Sequence, residues 1–179
     1  MLSSTMTRVF FALWPDDESA ARLHEIAHQW QGILGGRVMR QDTLHTTLVF
    51  IGNVSPLHLP ELQESAAGLD AAAFRLQFDQ PGCWRHNHIA YLGMRQIPDA
   101  LQRLQLDLAT RLQAADFKLE QRPFRPHITL LRKANCGVAI KENPAAEPVA
   151  WTVRDFVLVK SSMSANGSRY EQIGRWPLL

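Results

Sequence analysis

The sequence predicts a duplicated, two-lobed α+β fold rather than a doubly wound parallel sheet. Strand-like and helix-like segments interleave along the 179 residues, without a glycine-rich strand-to-helix turn. Each half of the chain carries one copy of the same short motif on a predicted strand. No run of Pro, Gly or Ser is long enough to link independent domains. We therefore expect a single domain over residues 1–179, made of two interleaved lobes.

The first half predicts strand, helix, strand, helix, strand. Residues 8–14 are apolar and aromatic, as in a buried strand. Pro15 and the three acids after it suit the first turn of a helix, which carries an apolar stripe and ends at a glycine pair. Residues 44–51 are β-branched and apolar and predict the second strand, and residues 56–69 predict another helix. Strict alternation over residues 74–78 predicts a half-buried strand.

The second half repeats a similar order around a central helix. Residues 89–94 predict a strand after a polar loop. Residues 99–115 give the clearest helix, with four leucines at helical spacing. Residues 126–132 predict the strand with the second motif copy. Residues 151–160 alternate apolar and polar side chains, and residues 170–176 predict a last strand.

Composition and charge restrict the class of protein. With 46% hydrophobic and 20% charged residues, the chain has the composition of a soluble globular protein. A net charge of +2 and a pI near 8.7 are compatible with a phosphate-bearing ligand, but too small for a non-specific nucleic-acid coat. No secretory signal and no span of roughly 20 apolar residues is present. We expect a cytoplasmic protein without membrane attachment.

The two cysteines, Cys83 and Cys136, have neither metal-ligand spacing nor a C-x-x-C arrangement. A single disulfide and two free thiols both remain open. Isolated cysteines in a chain of this size favour free thiols in a reducing compartment.

Two matching motifs carry the predicted chemistry: a His-x-Thr-Leu sequence begins at His45 and again at His127. Because side chains alternate along a strand, each histidine shares a face with the threonine two residues later, Thr47 and Thr129, about 7 Å away. Imidazole transfers protons near neutral pH, and a hydroxyl can donate to a phosphate oxygen. A base and an acid on facing strands are what in-line attack at a phosphodiester requires, without a metal or another cofactor.

The sequence resembles the two-histidine phosphoesterases, and within them the bacterial RNA 2′,3′-cyclic phosphodiesterases, also called 2′-5′ RNA ligases. The resemblance is carried by the two blocks LHTTLVFIGNV and RPFRPHITLLRKA, and supported by RVFFALWPDDE, HIAYLGM and SRYEQIGRWPL. It implies antiparallel sheets lining a groove between two lobes, with the helices outside. It also implies hydrolysis of 2′,3′-cyclic phosphate RNA ends, or of a small cyclic nucleotide, to a 2′-phosphomonoester, with reversible 2′-5′ joining in some members.

The same resemblance implies roles for individual residues. His45 corresponds to the proton donor to the departing 3′ oxygen, and His127 to the acceptor that activates water. Phe50 and Arg132, each five residues after its histidine, correspond to base and phosphate contacts. Strict strand alternation would turn both away from the histidines, unless the strand ends or bulges first. Arg125 is a second candidate for a phosphate contact.

Other features remain open or are set aside. His86 and His88 have a spacing that zinc could use, but no third ligand completes a site, so a surface loop is favoured. Trp84, just before them, is a candidate for stacking on a base. A groove that binds an RNA end without turnover, and a metal-dependent hydrolase, are the alternatives to the metal-free enzyme. Nothing in the sequence demands a protein partner or more than a monomer.

Overall fold

A computed structural model describes residues 6–137, 147–165 and 167–179. The described residues form three α-helices: α1 (Asp17–Leu34), α2 (Leu59–Ala66) and α3 (Asp99–Ala114). The ten strands of the same residues are β1 (Thr7–Leu13), β2 (Arg37–Val38), β3 (Thr46–Val54), β4 (Phe74–Phe78), β5 (Gln80–Trp84), β6 (Ile89–Gly93), β7 (His127–Arg132), β8 (Val149–Val153), β9 (Asp155–Ser164) and β10 (Gly167–Pro177). No helix among the described residues is long and apolar enough to cross a membrane.

Eight strands form one antiparallel sheet with two halves. The order is β10-β9-β1-β3-β7-β6-β5, and β2 pairs with the other part of β7. The two halves meet at β3 and β7, which share the single residue pair Thr46 and Ile128. Since the strands diverge beyond that pair, the sheet opens into a groove between its halves.

The two halves repeat one arrangement, in which a strand is followed by a helix and then by its antiparallel neighbour. β1, α1 and β3 make the first copy, and β6, α3 and β7 make the second. Each helix packs across the junction, α1 against β7 and α3 against β3. Asp16 caps α1 by accepting a hydrogen bond of 2.7 Å from the Ser19 N–H. This duplication confirms the predicted bilobal α+β fold, whereas the description as one domain stays a prediction.

Both motif strands carry an irregularity at the same place. In the pairing of β1 with β3, Val49 and Thr47 face consecutive residues of β1, so that Leu48 has no partner there. In the pairing of β6 with β7, Leu131 and Thr129 face consecutive residues of β6, and Leu130 has none. Each leucine is the third residue after its histidine. An extra residue at this point reverses the facing of the residues that follow it, in β3 as far as a second irregularity at Ile51.

Apolar residues of all three helices pack with one face of the large sheet in a single core. On the opposite face, Phe10 and Ala12 of β1 pack with Val157 and Val159 of β9 in a small separate cluster. β4 and β8 pair in a second, two-stranded sheet. The prediction of one strand over residues 151–160 is therefore wrong, because the two ends of this segment belong to β8 and β9, which lie in different sheets.

The expectation of free thiols is also wrong in this structure, because Cys83 and Cys136 form a disulfide. Their Cα atoms are 5.5 Å apart, and 53 positions separate them in the sequence. The bond joins the end of β5 to the segment that follows β7. The Cys136 sulfur also lies 3.5 Å from the Trp84 carbonyl oxygen.

We expect the double variant Cys83→Ser and Cys136→Ser to lose about 2–4 kcal/mol of unfolding free energy, since opening a loop of this length frees the unfolded chain. Urea denaturation of the oxidised protein and of the variant measures the difference. Reduced wild-type protein should match the variant. Two free thiols in the unfolded, unreduced protein would contradict the prediction.

Candidate active site

The groove between the two half-sheets holds a cavity of about 730 Å³. Both motif histidines and both motif threonines line it, as do residues of β1, β2, β9 and β10. Sequence analysis predicted this meeting of His45, Thr47, His127 and Thr129, and the structure brings all four to one cavity.

The two imidazoles are held in the same way. His45 Nδ1 lies 2.8 Å from the Thr43 carbonyl oxygen, and His127 Nδ1 lies 2.7 Å from the Arg125 carbonyl oxygen. Because a carbonyl oxygen only accepts, Nδ1 carries the hydrogen in both rings. The second ring nitrogen, Nε2, is left without a hydrogen in the neutral form. Each histidine therefore has Nε2 free to take a proton from a bound molecule and to return it.

The strand register places each histidine beside the threonine of the other motif. Since Thr46 faces Ile128, His45 stands opposite Thr129, and Thr47 stands opposite His127. The two histidines are therefore offset diagonally across the junction of the half-sheets, and both border the cavity together with the two threonines.

Aromatic rings surround His45 closely. Its ring stacks on Trp14 at 4.9 Å between centroids and on Phe10 at 5.0 Å, while Tyr170 meets it edge-on at 5.2 Å. Sequence analysis did not single out Trp14, Phe10 or Tyr170. The sequence offered one indication of them: Trp14 is the last residue of the apolar run RVFFALW and directly precedes the start of a helix.

His127 has a different environment. Trp84 meets it edge-on at 4.6 Å, and Tyr91 does so at 5.6 Å. Neither ring stacks on the imidazole. Trp84, the tryptophan identified from the sequence as a stacking candidate, thus lies against the second catalytic candidate and against Tyr91 at 4.2 Å.

These surroundings lower the basicity of both rings. The pKa of His45 is lowered to about 4, chiefly by burial and in smaller part by the charges of His127 and Arg132, although the hydrogen bond to the Thr43 carbonyl oxygen raises it. Burial also lowers the pKa of His127, and the charge of Arg122 adds to that, while the bond to Arg125 opposes it. In the free protein at pH 7 both histidines are therefore neutral.

Phe50 and Arg132 line the same cavity as the histidines. Strict alternation would have placed them on the other face, but the irregularities at Leu48 and Leu130 are the bulges for which the sequence prediction allowed, and they turn both residues toward the histidines. Phe50 stands opposite Phe10 in the β1–β3 register, and Arg132 stands opposite Arg37 on β2.

Arg125 does not line this cavity. It borders a smaller hollow of about 330 Å³ beside α3. This hollow shares five lining residues with the main cavity: Thr47, Phe50, Trp84, Arg122 and His127. Its carbonyl oxygen, rather than its guanidinium, serves the site by holding His127.

His86 and His88 lie in the turn between β5 and β6. His88 Nδ1 is 3.3 Å from the Ala134 carbonyl oxygen. Over the described ranges, no group of three or more His, Cys, Asp or Glu side chains comes together as metal ligands would.

A bilobal sheet with two His-x-Thr strands facing one groove defines the class of two-histidine phosphoesterases. Comparison with known proteins makes the assignment specific. A family model described as the 2′-5′ RNA ligase superfamily matches residues 15–164. The RNA 2′,3′-cyclic phosphodiesterase of Escherichia coli K12 is 33% identical over 175 residues, which are 96% of each chain.

Solved structures agree with the sequence comparison. E. coli LigT complexed with 3′-AMP superposes with a TM-score of 0.88 at 32% identity, over 97% of this chain and 98% of that one. TT0787 of Thermus thermophilus gives 0.77 at 26% identity, over 96% and 97%. The chain belongs to the 2′-5′ RNA ligase superfamily. It is an enzyme of the phosphodiester-hydrolase class, as the sequence predicted.

Proposed function

We propose that the protein hydrolyses 2′,3′-cyclic phosphate ends of RNA to 2′-phosphomonoesters, with His45 as proton donor and His127 as proton acceptor. The observation that carries the proposal is the pair of imidazoles with Nδ1 held and Nε2 free, on two strands that share one groove. A binder without turnover has no need of such a matched pair. The names of its E. coli and Geobacillus stearothermophilus relatives, both RNA 2′,3′-cyclic phosphodiesterases, support this substrate.

The reaction balances with these two groups and water. His127 Nε2 takes a proton from water as the water oxygen bonds to phosphorus. The bond from phosphorus to the 3′ oxygen breaks, and His45 gives its Nε2 proton to that oxygen. The product has a free 3′ hydroxyl and a 2′-phosphate, and the two histidines have exchanged protonation states.

In this proposal Thr47 and Thr129 donate hydroxyl hydrogens to the non-bridging phosphate oxygens, and the guanidinium of Arg132 adds a positive charge; all three line the cavity. Phe50 forms part of the apolar wall of the main cavity. We assign these four residues to substrate binding.

We expect Thr47→Val and Thr129→Val each to lower kcat/KM about 10–100-fold, since a hydrogen bond to a charged group contributes about 1.5–3 kcal/mol. Valine keeps the shape and the β-branch. Thr152→Val, on an exposed position of β8 outside the groove, is the matched control and should match the wild type. If all three variants had the kcat/KM of the wild type, the two motif threonines would have no role in substrate binding.

One experiment tests the reaction itself. An oligoribonucleotide ending in a 2′,3′-cyclic phosphate is incubated with the protein in EDTA, and the position of the product phosphate is identified. A 2′-phosphate supports the proposal. Tight binding without turnover would support the binding module instead. Activity lost in EDTA and restored by zinc or manganese would overturn the metal-free mechanism.

The smaller hollow favours a second reaction of the same site, 2′-5′ joining. It opens beside His127 and Thr47, where the attacking group must enter, and Leu106 and Phe124 give it apolar walls. A 5′-hydroxyl there takes the place of water, and attack on the cyclic phosphate yields a 2′-5′ bond. Adding an oligonucleotide with a 5′-hydroxyl to the same assay tests this through the appearance of a nuclease-resistant longer product.

Two expectations from the sequence stay predictions. One is the cytoplasmic location, which the disulfide makes worth measuring, and the other is the monomeric state without a protein partner. Fractionation and sedimentation measure them directly.

A further inference from the structure

Four arginines line the main cavity beyond the histidines. Arg122 pairs with Glu120 at 2.9 Å, which leaves Arg8, Arg37 and Arg132. No aspartate or glutamate is among the described residues that line it. Over the part of the chain that the structure describes, none of the three forms an ion pair or a side-chain hydrogen bond with the protein. Arginine side chains elsewhere do, as Arg40 does with Asp42 at 2.7 Å. Three cations without counterions in one cavity repel each other, and a bound anion removes that repulsion.

Arg8 is connected to His45 through neighbouring side chains of β1 and β3. It lies two residues before Phe10 on the same face of β1, about 7 Å along the strand, and Phe10 stacks on His45. Its guanidinium lies over the Phe50 ring at 4.9 Å from the centroid. Asn53 on β3 and Ser161 on β9 are its partners in the strand register, so polar groups flank it on both sides.

Arg37 lines the same cavity from the other half-sheet. On β2 it faces Arg132, and its guanidinium extends to Gly167 at the start of β10. A Cβ at Gly167 would lie 2.9 Å from Arg37 Nη1, so a side chain at this position would displace the guanidinium. Gly167 also has a φ of +104°, which side chains rarely adopt. Arg37 thereby spans the groove.

We propose that Arg8 and Arg37 form a second phosphate subsite, which holds the phosphate on the 5′ side of the nucleotide whose cyclic phosphate lies between the histidines. This inference rests on the proposed function, and it names the substrate class: phosphate-bearing ends such as RNA, rather than bare nucleoside 2′,3′-cyclic phosphates. Arg132, nearer to His45, serves the cyclic phosphate instead.

Arg8 is displaced along β1 from the catalytic histidines. It lies two strand residues, about 7 Å, from Phe10, whose ring stacks on His45. Phe50 occupies one side of Arg8 and fixes its guanidinium rather than leaving it mobile. The two subsites therefore set the direction of the RNA, with its upstream chain running over β1 toward the β9–β10 hairpin.

Three substrates test the subsite: adenosine 2′,3′-cyclic phosphate, its 5′-phosphorylated form, and the dinucleotide ApA with a 2′,3′-cyclic end. We expect the last two to exceed the first about tenfold or more in kcat/KM. Preference for the 5′-phosphorylated mononucleotide over ApA would identify a mononucleotide source of the phosphate, and the reverse preference would identify RNA.

Arg8→Gln and Arg37→Gln should each reduce that preference about tenfold. Arg103→Gln, on the exposed side of α3, removes the same charge outside the cavity and should keep it. No preference in the wild type, or an equal loss on all three substrates, would overturn the subsite.

Binding keeps the test independent of turnover. Calorimetry with adenosine 2′-phosphate and with ApA 2′-phosphate measures affinity even if no substrate is hydrolysed. The dinucleotide should bind more tightly, with a steeper salt dependence by about 0.7 in the log–log slope. Arg8→Gln should abolish that difference. Absence of hydrolysis together with this binding pattern would reject the proposed function and keep the subsite, whereas equal affinities would reject the subsite alone.

Discussion

Replacing His127 by alanine is expected to lower kcat on a cyclic phosphate RNA end by about 10²–10⁴-fold, the range of a general acid or base. Replacing His45 should have an effect of similar size, since each ring performs one of two coupled proton transfers. The double variant should lose little more than either single variant, because the two groups act as a unit. Steady-state kinetics measures all three. His28→Ala, on the exposed side of α1, is the control.

The leaving group distinguishes the acid from the base. In a nitrophenyl phosphodiester the leaving group is nitrophenolate, which departs without protonation. This substrate should therefore restore much of the rate lost in His45→Ala. It should restore nothing in His127→Ala, since water still needs a base. Rescue of the His127 variant instead would reverse the two roles. Equal losses of both variants on both substrates would remove the donor role altogether.

Local patterns were sufficient for much of the fold. The helices α1 and α3 follow from apolar residues at helical spacing, and β3 and β7 follow from short β-branched runs. The pairing of one motif with the other follows from their duplication. These features depend on a few neighbouring residues, which the sequence presents directly.

The facing of Phe50 and Arg132 could not be obtained in this way. Whether Leu48 and Leu130 have partners depends on which residues of β1 and β6 lie beside them, and both are themselves buried like ordinary strand residues. The strand over Gln80–Trp84 was missed for a different reason. Its Pro81 and Gly82 are residues that strands avoid, and its position at the sheet edge is what tolerates them.

The aromatic rings around His45 were missed because they come from opposite ends of the chain. Phe10 and Trp14 precede the histidine by about thirty residues, and Tyr170 follows it by more than a hundred. The run RVFFALW reads as uniformly buried. In the fold, Phe10 and Ala12 turn to the groove face while Phe11 and Leu13 enter the main core.

This ring cluster leads to the second large effect, on the pH dependence of the rate. Donation requires His45 to be protonated, and its pKa of about 4 in the free protein makes that form scarce at neutral pH. His127 must be neutral, and its lowered pKa makes it so. Because both pKa values lie below 6.5, kcat/KM should fall about tenfold per pH unit above pH 6.5.

The bound state should behave differently. A phosphodiester between the rings is negative, and a negative charge within about 4–6 Å favours the protonated imidazole. The pKa of His45 therefore rises on binding, and the alkaline limb of kcat should lie at higher pH than that of kcat/KM. Rate profiles from pH 5 to 9 measure both limbs. Coincident limbs, or a kcat/KM that stays level up to pH 8, would contradict the assignment.

Trp14 connects this profile to the structure. Trp14→Ala uncovers one face of the His45 ring, so water reaches it and the pKa of His45 should rise toward its ordinary value. The alkaline limb of kcat/KM should then move to higher pH, while Trp14→Phe, which keeps an aromatic cover, should leave it near the wild-type position. NMR titration of His45 in the free protein reads the same pKa without turnover. A His45 pKa that is equal in both variants would show that the stacked rings do not set it.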